Sequence, residues 1–203
     1  MAEARRRAGN IVDERAAHAA WLESLPAAQR IVADVALRLH SNFVVPKRLV
    51  AACYPLAFFL YLYLWREHQV RTRAVVGFVC DETSPAQMSH AWLESDGAKT
   101  DVSLTITEHP RYVPTGALLI LDRVMQRGTV GYTYHLSESP ESIEAYAADA
   151  KKDAGAREIR AMKEVEHAQM LVRASDEVAM SEWLSGAPTH IGYEGMAAAV
   201  RRQ

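Results

Sequence analysis

The sequence has little cysteine: two in 203 residues, Cys53 and Cys80. Two thiols do not make a disulfide framework, and they suit free cysteines in a reducing compartment. Neither sign of charge is in excess. Lys plus Arg is 23 and Asp plus Glu is 25, a formal net charge of -2. Such a chain has no basic footprint for nucleic acid as its main partner. Also missing are a His-Glu-x-x-His pair, a Cys-x-x-Cys pair, a glycine-rich phosphate loop and a dinucleotide fingerprint. No metal site and no cofactor is therefore expected. The basic cluster Arg5-Arg6-Arg7 is followed by no apolar stretch of signal-peptide length, so a cytoplasmic protein is expected.

Apolar residues make up 49% and charged residues 24%, the balance of a chain that buries a sizeable core. Length favours one domain over residues 1–203. One stretch breaks the average. From Leu49 to Trp65 the chain reads LVAACYPLAFFLYLYLW without a charge. Its length is at the bottom of the spanning range. Pro55 would free a carbonyl inside the bilayer, and Tyr54, Tyr61 and Tyr63 are spread along the run rather than gathered at its ends. It reads as a buried helix, not a membrane span.

Helical spacing runs to about residue 40, with Ile31, Val32, Val35 and Leu39 on one face. Ser41-Asn42 and Pro46 then predict a break and a loop. Proline is tolerated in a first turn, where its missing N–H would be unpaired anyway. Pro55 therefore starts the next helix near Cys53, and it runs to about His68. The period then changes to that of strands: 72–80, then 89–94 and 100–107 joined through Asp96-Gly97, a strong hairpin signal. Runs over 117–124 and 129–135 predict a second hairpin. Ser139 is a good N-cap before Pro140, and helix follows to about Arg173 with a break at Gly155. The last thirty residues are weakly patterned, with a turn at Gly186-Ala187-Pro188. Segregated elements argue for an α+β fold, N-terminal helices on an antiparallel sheet followed by C-terminal helices. The core is expected over about 30–136 and a helical extension over 138–203.

A thiol nucleophile needs a stabilised thiolate, a base within reach and a group to orient that base. Cys53 stands where a helix begins, beside free N–H groups and the positive end of the dipole. That setting favours a thiolate and could also hold an oxyanion. A lone cysteine is otherwise a small buried hydrophobe. With Asp96-Gly97 as a two-residue loop, His90 falls opposite Ser103. Asp101 is then its diagonal neighbour on the same face, within reach of longer side chains. Aspartate is depleted in strands, and orienting His90 would account for it.

A cysteine opening an apolar helix, then a strand, then His-Ala-Trp-Leu-Glu, Asp-Gly and Thr-Asp-Val-Ser resembles the transglutaminase-like superfamily of cysteine enzymes, in the broad papain-like fold. Small bacterial members, such as the leader peptidases of lasso-peptide (microcin-type) biosynthesis, are nearest in spacing. The resemblance covers roughly residues 30 to 110. It implies a catalytic triad of Cys53 as nucleophile, His90 as base and Asp101 as orienting group. It also implies a peptide or protein substrate attacked at an amide through an acyl-Cys intermediate, with water or an amine as acceptor.

Other readings stay open. Cys80, at a strand end ten residues before His90, could be the nucleophile instead. Glu164 and His167 form a Glu-x-x-His pair, but no second pair completes a di-iron set, and a solvated helix face is the plainer reading. A non-catalytic relative of the same fold could bind peptides through exposed aromatics at Trp92 and Tyr132–Tyr134. The polar loop 81–88 beside His90 suggests a substrate channel.

Overall fold

The computed structural model describes residues 16–81, 83–188 and 191–202. The Arg5–Arg7 cluster lies outside them. Residues 16–24 form helix α1, and Pro26 separates it from α2 (Ala27–Leu39). The break expected at Ser41-Asn42 is absent. The chain continues through a π-helical turn, His40–Val44, into the short α3 (Val45–Lys47). Two interactions override the local signal. Phe43 and Val44 are buried in the core, and the Asn42 amide donates to the Ala199 carbonyl at 3.2 Å.

Helix α4 spans Cys53–His68. It is buried nearly all round, from Tyr54 to Leu64 with only Tyr61 part-exposed, as an apolar run without a polar face must be in water. Among the described residues no helix is long and apolar enough to cross a membrane.

Four antiparallel strands form the main sheet in the order β3-β2-β1-β6. They are β1 (Arg73–Asp81), β2 (Met88–Ser95), β3 (Ala98–Thr100) and β6 (Tyr132–His135). The Asp96-Gly97 turn sets the predicted β2–β3 register, Leu93 opposite Thr100 and Ser95 opposite Ala98. Strand β3 is shorter than its sequence suggests. After Thr100 the chain leaves β2, and Asp101 bridges to Leu119 instead. The Asp101 carboxylate accepts from the Ser103 N–H at 2.9 Å, a local turn that competes with the ladder.

The expected hairpin between 117–124 and 129–135 does not form. Leu121 and Asp122 both take left-handed φ, 51° and 60°, and fold the first run on itself as β4 (Leu118–Ile120) and β5 (Arg123–Gln126). This turn is held from outside. The Leu121 N–H donates to Thr100 Oγ1, and Asp122 Oδ1 accepts from the Lys99 N–H. Freed from that pairing, β6 joins the open edge of β1.

The fold is α+β. Ser139 caps α5 (Pro140–Lys152) as its sequence predicts. The next break falls at Asp153, whose side chain accepts from the Gly155 N–H and opens α6 (Ala154–Ala174). Two further helices fill the weakly patterned end, α7 (Glu177–Ser185), capped by Asp176, and α8 (Tyr193–Arg201). Met170, Met180, Leu184 and Met196 from α6, α7 and α8 join α2, α4 and the sheet in one apolar cluster. Helices α6, α7 and α8 thus contribute side chains to the core.

Candidate active site

Cys53 is the first residue of α4, and no side chain caps that end. Pro55 in the first turn has no N–H to offer, and the Leu56 N–H already closes on the Ala52 carbonyl at 3.1 Å. The first-turn amides are those of Cys53 and Tyr54, which a helix cannot satisfy internally. Ala51, two residues earlier, is held at φ 52°. That region costs a non-glycine residue about 1 kcal/mol, and such strain concentrates at functional sites.

His90 and Asp101 meet in the interior. His90 Nε2 donates to Asp101 Oδ2 at 2.7 Å, and both residues are buried. The carboxylate is fully engaged. Its other oxygen accepts from the Ser103 N–H at 2.9 Å and from Ser103 Oγ at 2.7 Å, and Tyr134 Oη donates to Oδ2 at 3.0 Å. Burial alone would lift the Asp101 pKa, but His90 and the two Ser103 donors hold it below the usual carboxylate range. Burial alone would likewise lower His90. The Asp101 charge and its hydrogen bond, with the Cys53 sulfur nearby, outweigh it and push the imidazole up to about 10. With Nε2 occupied by Asp101, Nδ1 is the nitrogen left for Cys53.

Cys53, His90 and Ser103 open into a cleft of about 670 Å³. One side is the expected core: the start of α4, β2 and the chain after β3. The other side is α5 and α6, including Tyr146, Ile159, Arg160 and His167. Sequence patterns gave no sign of this second wall, because a charge-rich helix looks the same whether it lines a cleft or faces solvent. A hydrogen-bonded chain ties the walls together. Burial holds the Tyr54 phenol protonated and lowers the His167 pKa. Tyr54 Oη is hydrogen-bonded to Ser89 Oγ, and Ser89 Oγ to His167 Nδ1. His167 also stacks on Phe78 with ring centroids 4.4 Å apart.

Cys80 is elsewhere. It does not line the cleft, and its thiol donates to the Ser84 carbonyl at 3.0 Å. Burial and the neighbouring Asp81 charge both raise its pKa. Glu164 and His167 do not converge: Glu164 accepts from Arg160 at 2.6 Å while His167 turns to Ser89. Among the described residues no group of three or more His, Cys, Asp or Glu side chains is placed to hold a metal ion. Trp92 is not exposed, as a peptide groove would require. It is 2% accessible and packs edge-on against Tyr134, centroids 5.2 Å apart. Beside His90, Gln87 is buried and fixed to the start of α5 through Ser139, Ser142 and Tyr146.

No protein family, curated protein or solved structure was found to match the chain.

Proposed function

We propose that the protein is a cysteine-dependent acyl-transfer enzyme, a hydrolase or peptidase of transglutaminase-like type that opens an amide bond through an acyl-Cys53 intermediate. The observation that carries this reading is the buried His90–Asp101 pair at 2.7 Å, set under a cleft where Cys53 begins a helix. Cys53, with its proton on His90, attacks the substrate carbonyl carbon. The oxyanion lies at the start of α4, where the first-turn amides stabilise it. As the carbon–nitrogen bond breaks, the His90 imidazolium gives its proton to the leaving amine. Neutral His90 next takes a proton from water as the oxygen attacks the thioester, and the thiolate leaves. Asp101 fixes the ring and stabilises the imidazolium without taking its proton.

Where an amine takes the place of water in the second half, the same residues perform a transfer. Product analysis separates the two outcomes. The thiol chemistry itself is tested by iodoacetamide labelling at pH 7, with each cysteine followed by peptide mass spectrometry. Cys53 reacts at least tenfold faster than Cys80, and His90→Ala removes that difference. Equal rates in the wild-type protein would overturn the reading.

A further inference from the structure

The cleft carries information about what enters it. Part of its lining is apolar and comes from separate elements: Ala52 next to Cys53, Met88 two residues from His90, Leu104 next to Ser103, Ile106 after β3 and Ile159 on α6. Ile159 is 59% accessible, an exposed branched side chain on a concave surface, where apolar exposure commonly marks a binding site. The charged lining residues have a different character. Five carboxylates, Glu108, Glu138, Asp149, Glu164 and Glu166, stand against two cations, Arg160 and Lys163. Both cations are already neutralised, Arg160 by Glu138 and Glu164 and Lys163 by Glu166, and Asp149 pairs at 3.4 Å with Lys152, outside the lining. Glu108 has no ion-pair partner among the described residues. The rim is therefore acidic on a chain whose formal net charge is only -2. A cleft of one sign with low-dielectric walls concentrates the opposite charge.

We infer that the preferred substrate is a basic peptide: an apolar residue supplies the carbonyl attacked by Cys53, and a Lys or Arg a few residues away meets the acidic rim. This rests on the acyl-transfer reading and adds to it the chemical class of the acyl donor. An acidic residue at the scissile carbonyl finds no free cation among the described lining residues and would be desolvated against Leu104 and Ile106. An acidic residue further out faces a like-charged rim.

The test uses three peptidyl acyloxymethyl ketones, which alkylate an activated thiol irreversibly. Their peptide parts are acetyl-Lys-Ala-Leu, acetyl-Glu-Ala-Leu and acetyl-Lys-Ala-Asp. Labelling is followed on the full-length protein by intact mass, with Cys53→Ala as control. The Lys-Ala-Leu probe labels at least tenfold faster than either of the others at low salt. Its advantage over Glu-Ala-Leu shrinks in 0.5 M NaCl, because the Debye length falls from about 10 Å at 0.1 M to a few ångströms. Glu108→Gln with Asp149→Asn, both exposed positions, narrows the same ratio. Equal rates for all three probes, or a faster acidic probe, would overturn the substrate class while leaving Cys53 a reactive thiol. Labelling of none of them, or equal labelling of the Cys53→Ala protein, would overturn the acyl-transfer reading itself.

Discussion

The two cysteines are set in opposite chemical surroundings on the same scaffold. Cys53 begins a helix and shares a cleft with His90, whose imidazole Asp101 holds in place. Cys80 lies near the end of a strand, donates a hydrogen bond to a backbone carbonyl, and sits beside a carboxylate that disfavours a thiolate. Residue type and partial exposure are the same for both. What differs is the group that faces the sulfur, and that difference is where reactivity is decided.

The largest effect separates the two thiols outright. Cys53→Ala lowers amide or ester turnover by about 10³-fold or more, since no other group supplies the nucleophile. Cys80→Ala leaves turnover within about twofold. Steady-state assays on the two variants check both, and a large loss in Cys80→Ala would reverse the assignment.

Next in size is the group behind the base. Asp101→Asn keeps the shape but leaves a buried His90 without its charge partner. Turnover falls by about 10²-fold, and stability falls by about 3 kcal/mol, the usual effect of breaking a buried pair, as read by urea unfolding. The same pair shapes the pH profile of stability. His90 binds its proton more tightly in the folded chain than at its ordinary value of 6.5. Its contribution is complete below that pH and is lost as pH rises toward about 10. Asp101 is held below its ordinary 3.8. Its contribution is present above that pH and is lost as pH falls. Wild-type stability therefore has a plateau between about 4 and 6.5 from this pair. Urea midpoints across pH 3–10 show it, and Asp101→Asn flattens both flanks.

A smaller effect tests the frame that carries the base. A side chain at Gly77 would run into the His135 carbonyl and lie 2.8 Å from the Trp92 ring. Gly77→Ala costs about 2 kcal/mol through overpacking, measured by denaturant titration. The smallest effect is at the far wall: Ser139→Ala removes the α5 cap and costs about 1 kcal/mol without changing the relative reactivity of the two thiols.

Local signals were legible where local forces decide the structure. Pro55 marked the first turn of α4, Asp96-Gly97 set the β2–β3 register, and Ser139-Pro140 opened α5. That register, with Asp101 as the unexplained polar residue in a strand, pointed to the contact with His90. Signals failed where distant contacts overrode them. Phe43 and Val44, buried against other elements, carry helical structure through Ser41-Asn42. Thr100 and Lys99 hold the Leu121-Asp122 turn that splits a predicted strand in two. Nothing in the α6 pattern distinguishes His167 from its solvent-facing neighbours, because its role depends on Ser89, 78 residues away in sequence.

The central claim is that Cys53 carries the acyl group. The direct measurement is the intact mass of the protein, acid-quenched after brief exposure to an N-acetyl-leucyl thioester, followed by mapping of the modified peptide. The account predicts one acyl group per chain, on Cys53, absent from Cys53→Ala and present in Cys80→Ala. An unmodified wild-type protein, or acyl groups on Cys80, would contradict it.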